Sequence, residues 1–131
     1  MSAEENKNVV RKFFEAGNAG DMDSAMALIA DDVVWTDIGT TSLSGTYRGK
    51  ADLGEHLLGP LFGQLKAGIT MQIHRLIAED DFVVAQTSGT AETLEGVPYN
   101  NTYCWIIRIR DGQFAEVTEF LDTELVTRVF G

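Results

Sequence analysis

At Ile69 the spacing of apolar residues changes, and that change restricts the chain to few architectures. After it, Ile69, Met71 and Ile73 alternate with Thr70, Gln72 and His74, the period of two that turns one face of a strand toward a core. Before it, apolar residues recur every three or four positions, as on the buried stripe of a helix. Ser2 and Glu5 have capping-box spacing, and Val10, Phe13, Phe14 and Gly17 carry a first helix to about Asn18. Gly20 ends it, Asp21 can cap a second helix, and Met22, Ala25, Met26 and Ile29 form that helix's stripe. Val33-Val34-Trp35-Thr36-Asp37-Ile38 interrupts the helical pattern as a strand, followed by a Gly/Thr/Ser-rich loop over residues 39–46. A third helix carries Leu53, Leu57, Leu61 and Leu65, widened by Leu58 and Phe62, with a kink or break expected near Pro60.

The strands after Ile69 read as a meander. Glu79-Asp80-Asp81 is a turn, Phe82 to Thr93 the next strand, and Gly96 and Pro98 a second turn. Tyr99 to Arg110 and Gln113 to Leu121 form a last hairpin, and Asp122 caps a short C-terminal segment. Helices first, then consecutive strands, predict an α+β fold with the helices packed against one face of a curved, mostly antiparallel sheet. The 131 residues suit a single domain spanning 1–131, able to bury roughly two-thirds of its unfolded surface.

Twenty acidic against ten basic residues give a net charge of −10, which argues against nucleic acid and anionic membrane as partners. No apolar run reaches the ~20 residues of a membrane span, and the acidic N-terminus lacks the pattern of a signal peptide. The lone cysteine, Cys104, reads as a small core residue, and a reducing cytoplasm is the expected compartment. The pattern contains no zinc spacing, phosphate loop or serine-nucleophile motif, so no metal or cofactor is expected.

The register of the last hairpin decides which residues face inward. Arg110-Asp111-Gly112 fits either a two-residue loop or a three-residue loop with a left-handed Gly112, and the two differ by one residue. The three-residue loop groups Tyr103, Trp105, Ile107, Val117, Glu119 and Leu121, collecting the large apolar side chains on one face, and is preferred. It also buries a carboxylate, Glu119, among them. Asp37 alternates with Val33 and Trp35 and points the same way. The competing readings are an ion pair for Glu119 and a strand-end contact with the Gly39–Ser42 loop for Asp37. His56 lies beside the third helix's apolar stripe and is a candidate pocket-edge residue, whereas His74 belongs to a polar sheet face. The wall of the expected apolar pocket is Phe13, Trp35, His56, Leu57, Phe62, Val117 and Leu121. Asp37, Glu119, Tyr103 and Trp105 are the candidate catalytic groups.

Several of these segments resemble a known superfamily. Asn18-Ala19-Gly20-Asp21 and Ala30-Asp31-Asp32-Val33-Val34-Trp35-Thr36-Asp37 resemble the opening of ketosteroid isomerase-like proteins. Tyr47-Arg48-Gly49-Lys50, and Arg110-Asp111-Gly112-Gln113 through Glu119-Phe120-Leu121-Asp122, are similar to SnoaL-like polyketide cyclases. Both groups belong to the nuclear transport factor 2-like superfamily, whose resemblance implies a cone-shaped fold. It also implies a small apolar ligand and a homodimer formed through the outer sheet face of Cys104, Ile106, Thr118 and Phe120. The isomerase base then falls on Asp37. The isomerase's oxyanion donors fall on Phe13 and at or next to Trp105, which argues against steroid isomerisation. In the limonene-epoxide hydrolase pattern one acid falls on Glu119, while the neighbouring Arg and Asp fall around Thr87 and Gly89. The function implied is carboxylate acid/base chemistry of an isomerase, cyclase or hydrolase, with Asp37 as base, Glu119 as second acid/base and Tyr103 or Trp105 as donor. The alternative is a non-catalytic apolar-ligand-binding or dimerisation module.

Overall fold

A computed structural model describes all residues, Met1–Gly131. Helix α1 (Ala3–Asn18) starts at the full Ser2/Glu5 capping box and buries Asn6, Val9, Val10 and Phe14. The short α2 (Met22–Ala27) is capped by Asp21 and buries only Ala25. The second helix is therefore shorter than its sequence stripe: Met22 is exposed and Ile29 already belongs to β1 (Ile29–Asp37). Strand β2 (Gly45–Arg48) follows the Gly/Thr/Ser loop.

The third helical segment is broken into three pieces. A turn of α3 (Lys50–Leu53) runs into a π-helical turn (Gly54–Leu58) and then α4 (Gly59–Phe62). Pro60 has no N–H and its ring would crowd the carbonyl of His56, so a continuous α-helix cannot pass through it. The wider turn absorbs that defect, with the Gly59 N–H bonded to the Gly54 carbonyl. A Cβ on Gly59 would lie 2.9 Å from that carbonyl oxygen, so glycine is needed for the turn in this form. Leu65 lies beyond the helix and bridges to Thr93.

Strands β3 (Thr70–Glu79), β4 (Phe82–Thr90), β5 (Thr102–Arg110) and β6 (Gln113–Leu121) lead into helix α5 (Thr123–Phe130). The six strands form one sheet in the order β2-β1-β6-β5-β4-β3, antiparallel except where β1 runs parallel to β6. The chain is thus α+β, with helices against a mostly antiparallel sheet. Its core joins Val10 and Phe14 of α1 to Val33, Val83, Ile107, Phe114 and Val117 of the sheet.

The last hairpin corrects the expected turn. Arg110 pairs with Gln113, so the loop is the two-residue Asp111-Gly112, with both residues at positive φ (53° and 73°) as a type I′ turn requires. A bulge then follows. Ile109 opposes Phe114 but Arg108 opposes Glu116, leaving Ala115 as the extra residue. That inserted residue reverses the facing of everything beyond it. Tyr103, Trp105, Ile107, Val117 and Glu119 consequently share the inner face after all, through a bulge and not a longer loop. Cys104 is exposed on the outer face, contrary to its reading as a core residue.

Candidate functional site

Because β1 and β6 run parallel and in register, Asp37 stands directly beside Glu119, and Trp35 beside Val117. Adjacent strands lie about 4.8 Å apart, so the two carboxyl side chains meet on one face and hydrogen-bond to each other. Asp37 is 6% and Glu119 8% exposed. The Trp35 indole N–H donates to Asp37 Oδ1 at 3.3 Å. On the other side of Glu119, β5 places Trp105, whose ring meets Trp35 edge-on at 5.7 Å.

Above these groups lies a cavity of about 540 Å³. Its wall comes from α1 (Phe13, Phe14), α2 (Met22, Met26), the broken helix (Leu57, Leu58, Leu61, Phe62) and the start of β3 (Ile69, Met71). Asp37 and Glu119 are its only ionisable lining residues, and no Lys, Arg or His reaches it. Asn18, the other polar side chain there, is occupied by Met71, with Oδ1 accepting from its N–H at 2.7 Å and Nδ2 donating to its carbonyl at 2.8 Å.

An apolar site disfavours charge, and two adjacent carboxyls disfavour two charges. Burial pushes the Asp37 carboxyl up, opposed by the hydrogen bonds it receives from Glu119 and Trp35. Glu119 is driven well above the ordinary glutamate range, first by burial, then by the negative charge of Asp37 and by donating its proton to that residue. Both carboxyls are thus shifted toward the protonated form, Glu119 the more strongly, with Glu119 the donor and Asp37 the acceptor of the bond between them.

The sequence-level site residues separate into two groups. Asp37, Glu119, Trp35, Trp105, Phe13, Leu57 and Phe62 all line the cavity. Tyr103, Val117, Leu121 and His56 do not. Val117 is packed beneath, 1% exposed. Tyr103 and Leu121 border a shallower depression with His74 and Cys104. The Tyr103 hydroxyl is held neutral by burial, its pKa strongly raised. His56 is exposed and pairs with Asp52, four residues earlier, at 2.6 Å. His74 faces Ser88 at 2.8 Å on the exposed sheet surface.

The donor role also moves. The Trp105 N–H is spent on Thr87 Oγ1 at 3.0 Å, and the indole that reaches a carboxyl is Trp35. Its position two residues before Asp37 on one strand, hence on the same face, was the available signal. The methionines at 22, 26 and 71 carried no such signal, since their convergence depends on how α2 and β3 each pack against α1. At Gly89, a Cβ would stand 2.8 Å from Ile69 Cγ2, so the sheet has no room there for a third acid.

The sequence profile of the SnoaL-like domain matches residues 10–117. Among solved structures, Bal32a from a soil-derived mobile gene cassette superposes with a TM-score of 0.87 at 21% identity, covering 98% of each chain. An NTF2-like protein from Burkholderia thailandensis superposes at 0.83 and 21% identity over 100% of this chain and 99% of its own. An LEH-like epoxide hydrolase from M. tuberculosis does so at 0.78 and 21% identity over 96% and 89%. At such identities the likeness establishes the nuclear transport factor 2-like fold. No curated protein matches the sequence.

Proposed function

The chain belongs to the SnoaL-like domain family, and from that premise we propose that Asp37 and Glu119 perform acid/base chemistry on a small, mostly apolar molecule held in the cavity. The reaction is of the isomerase, cyclase or hydrolase type. The observation that carries this reading is a pair of adjacent, buried carboxyls in an apolar cavity that no cationic side chain lines. Asp37, in its ionised form, removes a proton from an activated C–H or from water. Glu119 gives its proton to the oxygen that gains charge. The pair holds one proton before and after, so transfer between the two carboxyls resets it. Two carboxyls with pKa values pushed apart suit this division of labour.

Steroid isomerisation fits poorly. Phe13 offers no donor, and the Trp105 N–H is already engaged, so the cavity lacks the second oxyanion donor that usually contributes several kcal/mol. A thermal-shift ligand screen followed by turnover assays on the hits tests the proposal. Asp37→Asn is expected to lower kcat by about 10²–10⁴-fold while the protein stays folded. Turnover that survives both Asp37→Asn and Glu119→Gln sinks it.

The missing donor also favours a second reading, a non-catalytic ligand-binding domain. Tight binding without turnover, indifferent to Asp37→Asn, is its signature. For the outer face we propose a homodimer. Ile77 on β3, Ile106 on β5 and Phe120 on β6 lie exposed there, apolar surface that a second copy would cover. Light scattering on the purified chain checks it, and a monomer at all concentrations rejects it. No helix is long and apolar enough to cross a membrane.

A further inference from the structure

The cavity's charge balance contains an asymmetry that the acid/base reading leaves unused. Its two ionisable groups are both acidic, they lie side by side, and nothing basic faces them from α1, α2, the broken helix, β1, β3, β5 or β6. The Trp35 N–H is the one donor outside the pair that reaches Asp37. A buried carboxylate with no cationic partner is an unfavourable arrangement that the fold alone does not relieve.

The rest of the wall suits positive charge as well. Phe13, Phe14, Trp35 and Trp105 form a continuous aromatic series, with Phe13–Phe14, Phe14–Trp105 and Trp35–Trp105 centroids 5.3, 5.3 and 5.7 Å apart. Aromatic faces attract cations and offer little to anions. An inorganic cation would find only two ligands here, since no group of three or more His, Cys, Asp or Glu side chains in the chain is placed to hold a metal ion. An organic cation can use both features: its charge at the carboxyl pair and its apolar body against Leu58, Leu61, Met26 and Met71.

We infer that the cavity selects a ligand carrying a protonated nitrogen on an apolar, ring-sized body, with the nitrogen seated at Asp37 and Glu119 beside the Trp35–Trp105 wall. The inference rests on the reading of this cavity as the ligand site and names the class of molecule that the site takes. A neutral ligand of the same shape gains the apolar contacts but leaves the pair's charge unmatched. An anionic one adds repulsion to desolvation. The chain's net charge of −10 further favours the approach of cations.

The test compares three matched sets by calorimetry on the full chain near neutral pH. These are phenethylamine and tryptamine, their neutral counterparts phenethyl alcohol and tryptophol, and the acids hydrocinnamate and indolepropionate. The amines are expected to bind roughly 30-fold or more tightly than the alcohols, the scale of a buried charge pair, and the acids not measurably. In Asp37→Asn the amine advantage should collapse while alcohol affinity is kept, which also shows that the variant's cavity is intact. Glu119→Gln, which keeps the Asp37 charge, should retain most of the preference. Alcohols binding as tightly as amines, an amine preference that survives Asp37→Asn, or no amine binding at millimolar concentration each overturn the inference. A preference for neutral ligands would overturn it and leave the acid/base reading standing, because that reading fails only on turnover.

Discussion

The floor and the cover of the cavity are built by opposite rules. The floor is the inner sheet face, where Val33, Val83, Ile107 and Phe114 are fully buried and each polar atom of Trp35, Trp105 and Thr87 has a partner. The cover is the broken helix, whose last segment, α4, buries no residue and whose continuity is interrupted by a π-turn. Chemistry that depends on sub-ångström placement needs the first kind of support. Admission and shaping of a ligand tolerate, and benefit from, the second. The carboxyl pair is accordingly mounted on two strands of the floor, and the cover supplies only apolar surface.

The sharpest way to break this contrast is to truncate one side chain in each region. Phe114→Ala in the floor should cost about 3–5 kcal/mol, since a fully buried aromatic leaves a cavity that neighbouring strands cannot close. Leu61→Ala in the cover, where the residue is only half-buried and faces space already empty, should cost about 1 kcal/mol or less. Urea unfolding of the two variants gives the ratio directly. Equal losses would mean that the cover belongs to the same cooperative core as the floor.

A second test sharpens the contrast through pH. Glu119 has a raised folded-state pKa, so between the ordinary glutamate value of about 4.3 and that higher value the native state holds more protons than the unfolded chain. By linkage, stability then falls as pH rises through that window and is greatest below it. Asp37, also raised, adds in the same direction. Glu119→Gln should flatten the slope while still donating an N–H to Asp37. Denaturation curves across the acidic to neutral range decide the matter, and an unchanged slope in the variant would place the proton elsewhere.

The same division explains what could be read from the sequence. The floor was legible because its determinants are periodic: alternation put Trp35 and Asp37 on one face, and apolar grouping put Trp105 with Glu119. The parallel β1–β6 pairing that brings the carboxyls into register is a tertiary fact with no local signature. The bulge at Ala115 shows a different limit. Apolar grouping correctly chose the inward face, but two mechanisms could supply the extra residue, and the type I′ preference of Asp111-Gly112 decided against the longer loop. The cover was legible only as a weakness near Pro60. His56 was misplaced because the carboxylate of Asp52, four residues earlier, holds its ring on the exposed side, and the leucine stripe alone does not weigh that pairing.

Gly59 offers the gentlest test of the contrast, because two effects at that position nearly offset. Alanine is favoured over glycine in a helix by about 1 kcal/mol. Its Cβ, however, would lie 2.9 Å from the Gly54 carbonyl oxygen, a contact with backbone that cannot rotate away. In the tightly packed floor such a contact would be expensive. In the cover, Leu57 anchors the π-turn but α4 has no buried side chain to hold it, so the α4 end of the turn can open or rewind by a fraction of an ångström. Gly59→Ala should therefore change global stability by less than about 1 kcal/mol. The local readout should move more: amide exchange over Leu58–Gly63 and ligand affinity both respond as Leu58 and Phe62 shift over the cavity. A melting temperature that drops as far as in Phe114→Ala would show the cover to be rigid, and the distinction between a fixed floor and a yielding cover would fall with it.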